Sequence, residues 1–220
     1  MGEFDECFGR PEPADHAERY VRGQQLNLPR KSMEPMADEA GIDPRALQKF
    51  LGQHRWDHRL MTTRLQQAVM RDHAHPQAIG IVDESSFAKK GDKTPGVHRQ
   101  HCGSTGKIDN CVVTTHLAYA TPDGFHTLLS SALFLPEEWS NDRERCRDAG
   151  IPNDLVHRTK WEIALELHQE ARSNGVHFAW LTADEFYGRP VEFHLELSRR
   201  GQNYVLEVPR NFRGWCRKPE

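Results

Sequence analysis

No apolar run in this sequence approaches the roughly 20 residues that a membrane-spanning helix needs, so no such helix is expected. The opening residues, MGEFDECFGR, are acidic and carry no hydrophobic leader, and a cytoplasmic location is the expectation. No CxxC pair occurs, and the five cysteines (Cys7, Cys102, Cys111, Cys146 and Cys216) are odd in number and scattered. A disulfide framework is therefore not expected, and free thiols in a reducing compartment are. VHRQHC gathers His98, His101 and Cys102, but that spacing is no zinc pattern and no second cluster completes a tetrahedron. Neither charge sign dominates: a formal net charge of -3 argues against a generic nucleic-acid coat. Internal repeats and low-complexity tracts are also lacking, which leaves no case for a solenoid or a long linker.

What is present is a polar globular composition, 37% hydrophobic and 28% charged, with a mean hydropathy of -0.76. At 220 residues the chain has room for one good core plus a smaller domain. Positive charge is concentrated locally. Residues 86–110 hold Lys89, Lys90, Lys93, Arg99 and Lys107 against Asp92 and Asp109. Residues 197–220 hold Arg199, Arg200, Arg210, Arg213, Arg217 and Lys218 against Glu207 and Glu220. Such segments on a slightly acidic protein can line a phosphate-binding surface, or be solvated loops.

The first part of the chain reads as helical. A short helix is expected near Ala14–Arg22, and a second runs from a Ser32 cap to Ala40 with Pro35 in its first turn. Gly41 ends that helix and Asp43-Pro44 opens the next as cap and first helical residue. Leu47, Phe50 and Leu51 give it an apolar face, and a further helix over 57–72 carries Leu60, Leu65 and Val69. Ala37, Gly41, Leu47 and Phe50 have the spacing of a helix-turn-helix: a small residue for close approach, a glycine for the turn, and two apolar pins. Arg45, Gln48 and Lys49 would then face DNA. Many helical hairpins share that spacing for packing alone. The polar stretch DHAHPQ, residues 72–77, marks the expected boundary between a helical N-terminal domain (1–77) and a second domain (78–220).

Beyond it the expected order is strand (78–83), basic loop, strand (111–120), turn at Pro122-Asp123-Gly124, and a returning strand. A long polar connection with room for a helical turn follows. Thr159 caps an amphipathic helix to Ser173 with Trp161, Ala164, Leu165, His168 and Ala171 on one face. A strand over 177–183, a helix over 189–200 and a strand over 203–208 complete an α/β pattern.

Two of these strands end in the same chemistry. IGIVDES and AWLTADEF are apolar runs closing on Asp-Glu, their aspartates 101 positions apart (184 minus 83). A right-handed crossover through the helix after Lys160 makes the strands parallel and sets Asp83 beside Asp184. Two close carboxylates repel unless a divalent cation bridges them. Mg²⁺ suits one or two carboxylates, retained waters and phosphate oxygens. Both Asp-Glu pairs could equally cap the helices that follow, and on the residues alone the two readings stand level.

The long segment IVDESSFAKKGDKTPGVHRQHCGSTGKIDNC, with TKWEIALEL, LTADEFYGR and, upstream, RKSMEPMADEAGIDPRALQKFLGQHRWDH, resembles insertion-sequence transposases of the DDE-superfamily endonuclease type. The resemblance runs from about residue 20 to the end. It implies a ribonuclease H-like mixed sheet, the first half of that core, behind a small helix-turn-helix-like domain. It implies metal-dependent cleavage and strand transfer of double-stranded DNA at transposon ends and target, in a bacterial, nucleoid-associated setting. Asp83 and Asp184 would be catalytic carboxylates holding Mg²⁺ or Mn²⁺. Lys89, Lys90, Arg99, Lys107 and Arg189 would contact phosphates. Glu84 and Glu185 would support the aspartates or stand at helix starts.

The family's third acid is a glutamate on a helix after the fifth strand, and no residue here matches it. Glu192 and Glu196 precede that strand, and Glu220 lies outside any expected helix. The resemblance therefore implies a truncated or partial product with reduced or no activity alone, completed by a C-terminal polypeptide or within a homo-oligomer. The alternative is a non-catalytic DNA-binding module or transposition inhibitor. A phosphohydrolase with Asp83 as nucleophile would call for an aspartate at position 85, which is serine.

Overall fold

A computed structural model describes residues 2–213; Cys216, Arg217, Lys218 and Glu220 lie outside the described residues. The chain divides into two compact units, Met1–Leu65 and Gln66–Glu220. The division falls inside a helix, ahead of the 72–77 stretch named from sequence.

The first unit opens with a 3₁₀ turn, Gly2–Cys7, followed by α1 (Pro11–Gln25), α2 (Met33–Glu39), α3 (Pro44–Gly52) and the first half of α4 (His58–His73). Pro11 starts α1, where its fixed φ suits the first turn and its missing N–H costs nothing. The helix-turn-helix spacing packs as read: Ala37 and Leu47 are fully buried and Phe50 is buried. Gly41 turns the chain at φ 65°. Asp43 accepts the Arg45 N–H at 2.9 Å, a side-chain cap for α3. Ser32 stands at the cap of α2 without a side-chain bond. Phe50 stacks on Trp56 at 4.8 Å between ring centroids, while Leu51, expected on the apolar face, is exposed.

The second unit is a six-stranded mixed sheet with helices. Its strands are β1 (Ile79–Ala88), β2 (His98–Cys102), β3 (Lys107–Ala120) and β4 (His126–Leu133). Then come α5 (Glu137–Asn141), α6 (Arg143–Asp148), α7 (Lys160–Ser173), β5 (Trp180–Ala183), α8 (Glu185–Gly188), α9 (Val191–Arg199) and β6 (Tyr204–Leu206). β3 pairs antiparallel with β1 on one side, and with β2 and β4 on successive stretches of the other. β5 adds parallel to β1, and β6 parallel to β5. The two parallel additions follow α7 and α9, as crossover connections require. This is the mixed sheet that the sequence reading expects.

Thr159 and Glu162 form a reciprocal capping box at the start of α7. His168 and Ala171 are wholly buried on that helix, joined by Ile163 and Leu167.

Two strand expectations and one connection change. β1 does not stop at Asp83. Its parallel pairing ends at Val82↔Ala183, but its antiparallel pairing with β3 continues to Ala88↔Cys111. HRQHC, read as loop because it lacks apolar alternation, is β2, held by the ladder to β3. The polar connection folds into α5 and α6, because Trp139 and Cys146 are fully buried in a cluster with Val97 and Leu135.

β1 is also not buried on both sides. Gly80 and Val82 are buried, whereas Ile79 and Ile81 are 38% and 37% exposed. Their registered neighbours Trp180 and, through Thr182, Val205 are exposed as well. The sheet thus has one face under α7 and one apolar face open among the described residues.

Candidate active site

Side chains alternate along a strand, and registered residues on neighbouring strands share a face. Ile81 registers with Thr182, so two residues further on Asp83 follows Ile81 onto the open face. Asp184 is still extended, at φ -74° and ψ -178°, and follows Thr182 onto the same face. The fold therefore brings together the two aspartates singled out from sequence.

Among the described residues, their hydrogen bonding leaves each one oxygen to offer. Asp83 Oδ1 accepts the Glu84 N–H at 2.7 Å. Asp184 Oδ1 accepts the N–H groups of Phe186 and Tyr187 at 3.0 and 3.4 Å, capping α8. Asp184 is thus a helix cap, as one reading of the second Asp-Glu pair has it, and it is also exposed on the face of Asp83. Asp83 caps no helix, since β1 continues through it.

Around the pair sit buried and half-buried polar groups that sequence reasoning missed. His116 is the registered partner of Asp83 on β3. Its Nε2 and Nδ1 lie 2.9 Å from Thr114 Oγ1 and 2.6 Å from Ser131 Oγ. Burial pushes its pKa below the usual imidazole value, against the opposing pull of the Asp83 charge. On the covered face Glu84 registers with Thr115, and Tyr187 donates its hydroxyl to Thr115 Oγ1 at 3.4 Å. Burial first, then the charges of Glu84, Asp184 and Asp83, hold the Tyr187 phenol well above its ordinary pKa. It remains a donor. Glu84 itself pairs with Lys160 Nζ at 2.8 Å; it is not at a helix start. Glu185 is, and there it pairs with Arg189 at 2.7 Å.

The residues expected to meet DNA are all exposed: Arg45, Gln48 and Lys49 on α3, Lys89 and Lys90 after β1, Arg99 on β2, Lys107 opening β3, and Arg189 after α8. They are not equivalent. Arg99 registers with Asn110, which alternates onto the face of His116 and Asp83. Lys107 registers with the fully buried Cys102 on the other alternation. Lys89 lies six residues beyond Asp83, about 20 Å along an extended strand. His98 and Cys102 share one side of β2 while His101 takes the other, so those three do not converge.

The donor set suits a hard divalent cation: two carboxylates, one free oxygen each, on a solvent-facing surface. Among the described residues no group of three or more His, Cys, Asp or Glu side chains is placed to hold a metal, so the remaining ligands would be water, phosphate or a further carboxylate. No helix among them is long and apolar enough to cross a membrane.

Three comparisons bear on this arrangement. The chain is 33% identical over 188 residues to a probable transposase for insertion sequence element IS701 from Microchaete diplosiphon, covering 84% of this chain and 46% of that protein. It thus spans about half the length of the curated relative it matches. Among solved structures, the Mos1 transposase paired-end complex with left transposon end aligns with 89% of this chain and 59% of its own, at 12% identity and a TM-score of 0.31. That likeness is too low to bear on the fold. The family described as DDE superfamily endonuclease matches residues 3–220, and the chain belongs to that family, whose members use divalent metal ions.

Proposed function

We propose that this chain is the DNA-binding and first catalytic part of an insertion-sequence transposase, working by metal-dependent cleavage and transfer of DNA strands at transposon ends. The supporting observation is the placement of Asp83 and Asp184 on one open face, each with an unshared oxygen. The relative's name points to the same activity. Mg²⁺ or Mn²⁺ would be held by those two oxygens; when bound, such ions activate an attacking oxygen and stabilise the leaving oxygen of a phosphodiester. The chain's own residues do the rest. The backbone N–H groups of Glu84, Phe186 and Tyr187 fix the carboxylates, and His116 stands as a neutral imidazole next to Asp83. Arg45, Gln48 and Lys49 present one exposed helix face to duplex DNA, within a helical domain over 1–77. Lys89, Lys90, Arg99, Lys107 and Arg189 present positive charge to phosphates from the catalytic domain over 78–220.

The open apolar face around Ile79, Ile81, Trp180 and Val205 supports a further polypeptide, in cis or as a partner, that covers it and completes the carboxylates. Alone, the 220-residue chain is then weakly active or inactive. A bacterial cytoplasmic, nucleoid-associated location and a homo-oligomer on paired ends belong to the same reading. One observation favours the second reading, a non-catalytic DNA-binding module or inhibitor: no third metal-ligating side chain joins the two aspartates among the described residues.

A nicking assay on duplex DNA carrying the element's ends, with Mg²⁺ or Mn²⁺ and this chain supplied with the polypeptide that completes the carboxylates, separates the two. Cleavage that disappears in both Asp83→Asn and Asp184→Asn supports the transposase. Salt-sensitive binding with no cleavage, unchanged in both variants, supports the module.

A further inference from the structure

Lys160 stands where a lysine is out of place. It is the first residue of α7, the end of a helix that favours negative charge, and its side chain is only 11% exposed. Burying an ammonium there is costly, and an apolar side chain of similar volume would pack at least as well. What Lys160 does have is an unusual set of contacts. Its Nζ donates to Glu84 Oε1 at 2.8 Å, and it lies over the Phe186 ring at 4.6 Å and the Phe134 ring at 5.6 Å.

Those contacts converge on the two aspartates. Glu84 is the residue whose backbone N–H holds Asp83 Oδ1. Phe186 is one of the two whose N–H groups hold Asp184 Oδ1. Among the described residues the Glu84 carboxylate has no other partner: its Oε2 is buried and unpartnered. One ammonium therefore grips both residues next to the carboxylate-holding amides, one on β1 and one on α8. Cation–π attraction adds to the ion pair, because the cation is largely withdrawn from water.

We propose that Lys160 is a positioning residue that sets the spacing of Asp83 and Asp184 through Glu84 and Phe186, and so tunes the affinity of the pair for a divalent cation. This rests on the reading of the two aspartates as metal carboxylates. Lys160 touches neither the metal nor DNA; it acts on the frame that carries both ligands. Groups bonded directly to metal ligands typically change metal affinity by about 10- to 100-fold when removed, and the lower end is expected for one that acts through Glu84 and Phe186.

The test uses Mn²⁺ alone, titrated into the 220-residue chain and followed by the loss of the free-ion electron paramagnetic resonance signal, with thermal unfolding in parallel. Wild type is compared with Asp83→Asn, Lys160→Met, and the double variant Lys160→Met/Glu84→Gln. The expected result is binding that Asp83→Asn abolishes and Lys160→Met weakens about tenfold. The double variant, which leaves no unpaired buried charge, should recover thermal stability while its Mn²⁺ binding stays about tenfold weak. Wild-type affinity in either lysine variant overturns the positioning role while leaving the carboxylate reading intact. If Lys160→Met does not fold, the double variant alone decides. Wild-type binding that ignores Asp83→Asn overturns the carboxylate reading, and the role of Lys160 with it.

Discussion

Val82 and Ala183 are the last registered pair of the parallel β1/β5 ladder, so Asp83 and Asp184 step off it at the same level. Beyond that point the two strands diverge: β1 continues on β3, and β5 turns at once into α8. Asp184 therefore has two separable duties. Asparagine caps helices about as well as aspartate, whereas alanine loses the cap at a cost of about 1 kcal/mol. Asp184→Asn should unfold in urea at the wild-type midpoint, and Asp184→Ala should be about 1 kcal/mol less stable. Both should abolish metal-dependent cleavage in a protein that carries the complete carboxylate set.

Arg99 and Lys107 were alike in sequence, two cations in one basic segment. The β2/β3 register separates them, because only Arg99 alternates onto the aspartates' face. Arg99→Ala should weaken binding of end DNA and lower the slope of log affinity against log salt by roughly one, as expected for one lost phosphate contact. Lys107→Ala should have a smaller effect, since that cation also lies 3.8 Å from Asp109. Filter binding across a salt series measures both.

The same contrast shows how far residues alone could go. The pairing of IGIVDES with AWLTADEF was legible because both strands are apolar runs ending in one chemistry, linked by a helix with a readable cap at Thr159. The helix-turn-helix spacing was legible because Ala37, Gly41 and Leu47 each have a local steric role. β2 was not, because HRQHC has no apolar alternation and is a strand only through its ladder to β3. The roles of His116 and Lys160 were hidden for a related reason: each depends on which residue lies across a strand or behind a sheet. Lys160 left one trace, a cation at a helix start.

His168 supplies a pH dependence. It is fully buried, with Nε2 3.1 Å from Gln202 Oε1. The Gln202 amide nitrogen donates to the carbonyls of Phe178 and Asn203, so its oxygen accepts and the imidazole is the neutral Nε2–H tautomer. Burial, reinforced by Arg172 and Arg200 and opposed by the Gln202 bond, depresses its pKa from the ordinary 6.5. The unfolded chain then binds the proton more readily than the folded one. Stability is fully present above about pH 6.5 and is lost as pH falls below it, by about 1.4 kcal/mol for each unit of depression. His116, also depressed by burial, adds in the same direction. Urea midpoints from pH 8 to pH 5 should show the decline, and His168→Leu should flatten it.

Gly188 closes α8 against the end of β6. A Cβ built there would lie 1.8 Å from the Glu207 carbonyl oxygen and 2.9 Å from its carbon. Both are backbone atoms, so no side chain can move aside. Glu207 is in turn held by its N–H on the Ala183 carbonyl at 3.1 Å, and the Gly188 N–H by the Asp184 carbonyl at 3.0 Å. Gly188→Ala must therefore separate a three-residue strand from the turn that begins with Asp184. The expected cost is about 3 kcal/mol, the upper end of ordinary overpacking, or a fall of roughly 6–12 °C in Tm for a chain of this size. Gly52→Ala is the control. That glycine ends α3 with no atom within 4 Å of a built Cβ, so alanine there should be neutral or stabilising by about 0.5–1 kcal/mol. Because the strain at Gly188 falls on the segment carrying Asp184, Mn²⁺ binding should weaken in Gly188→Ala and stay at the wild-type level in Gly52→Ala.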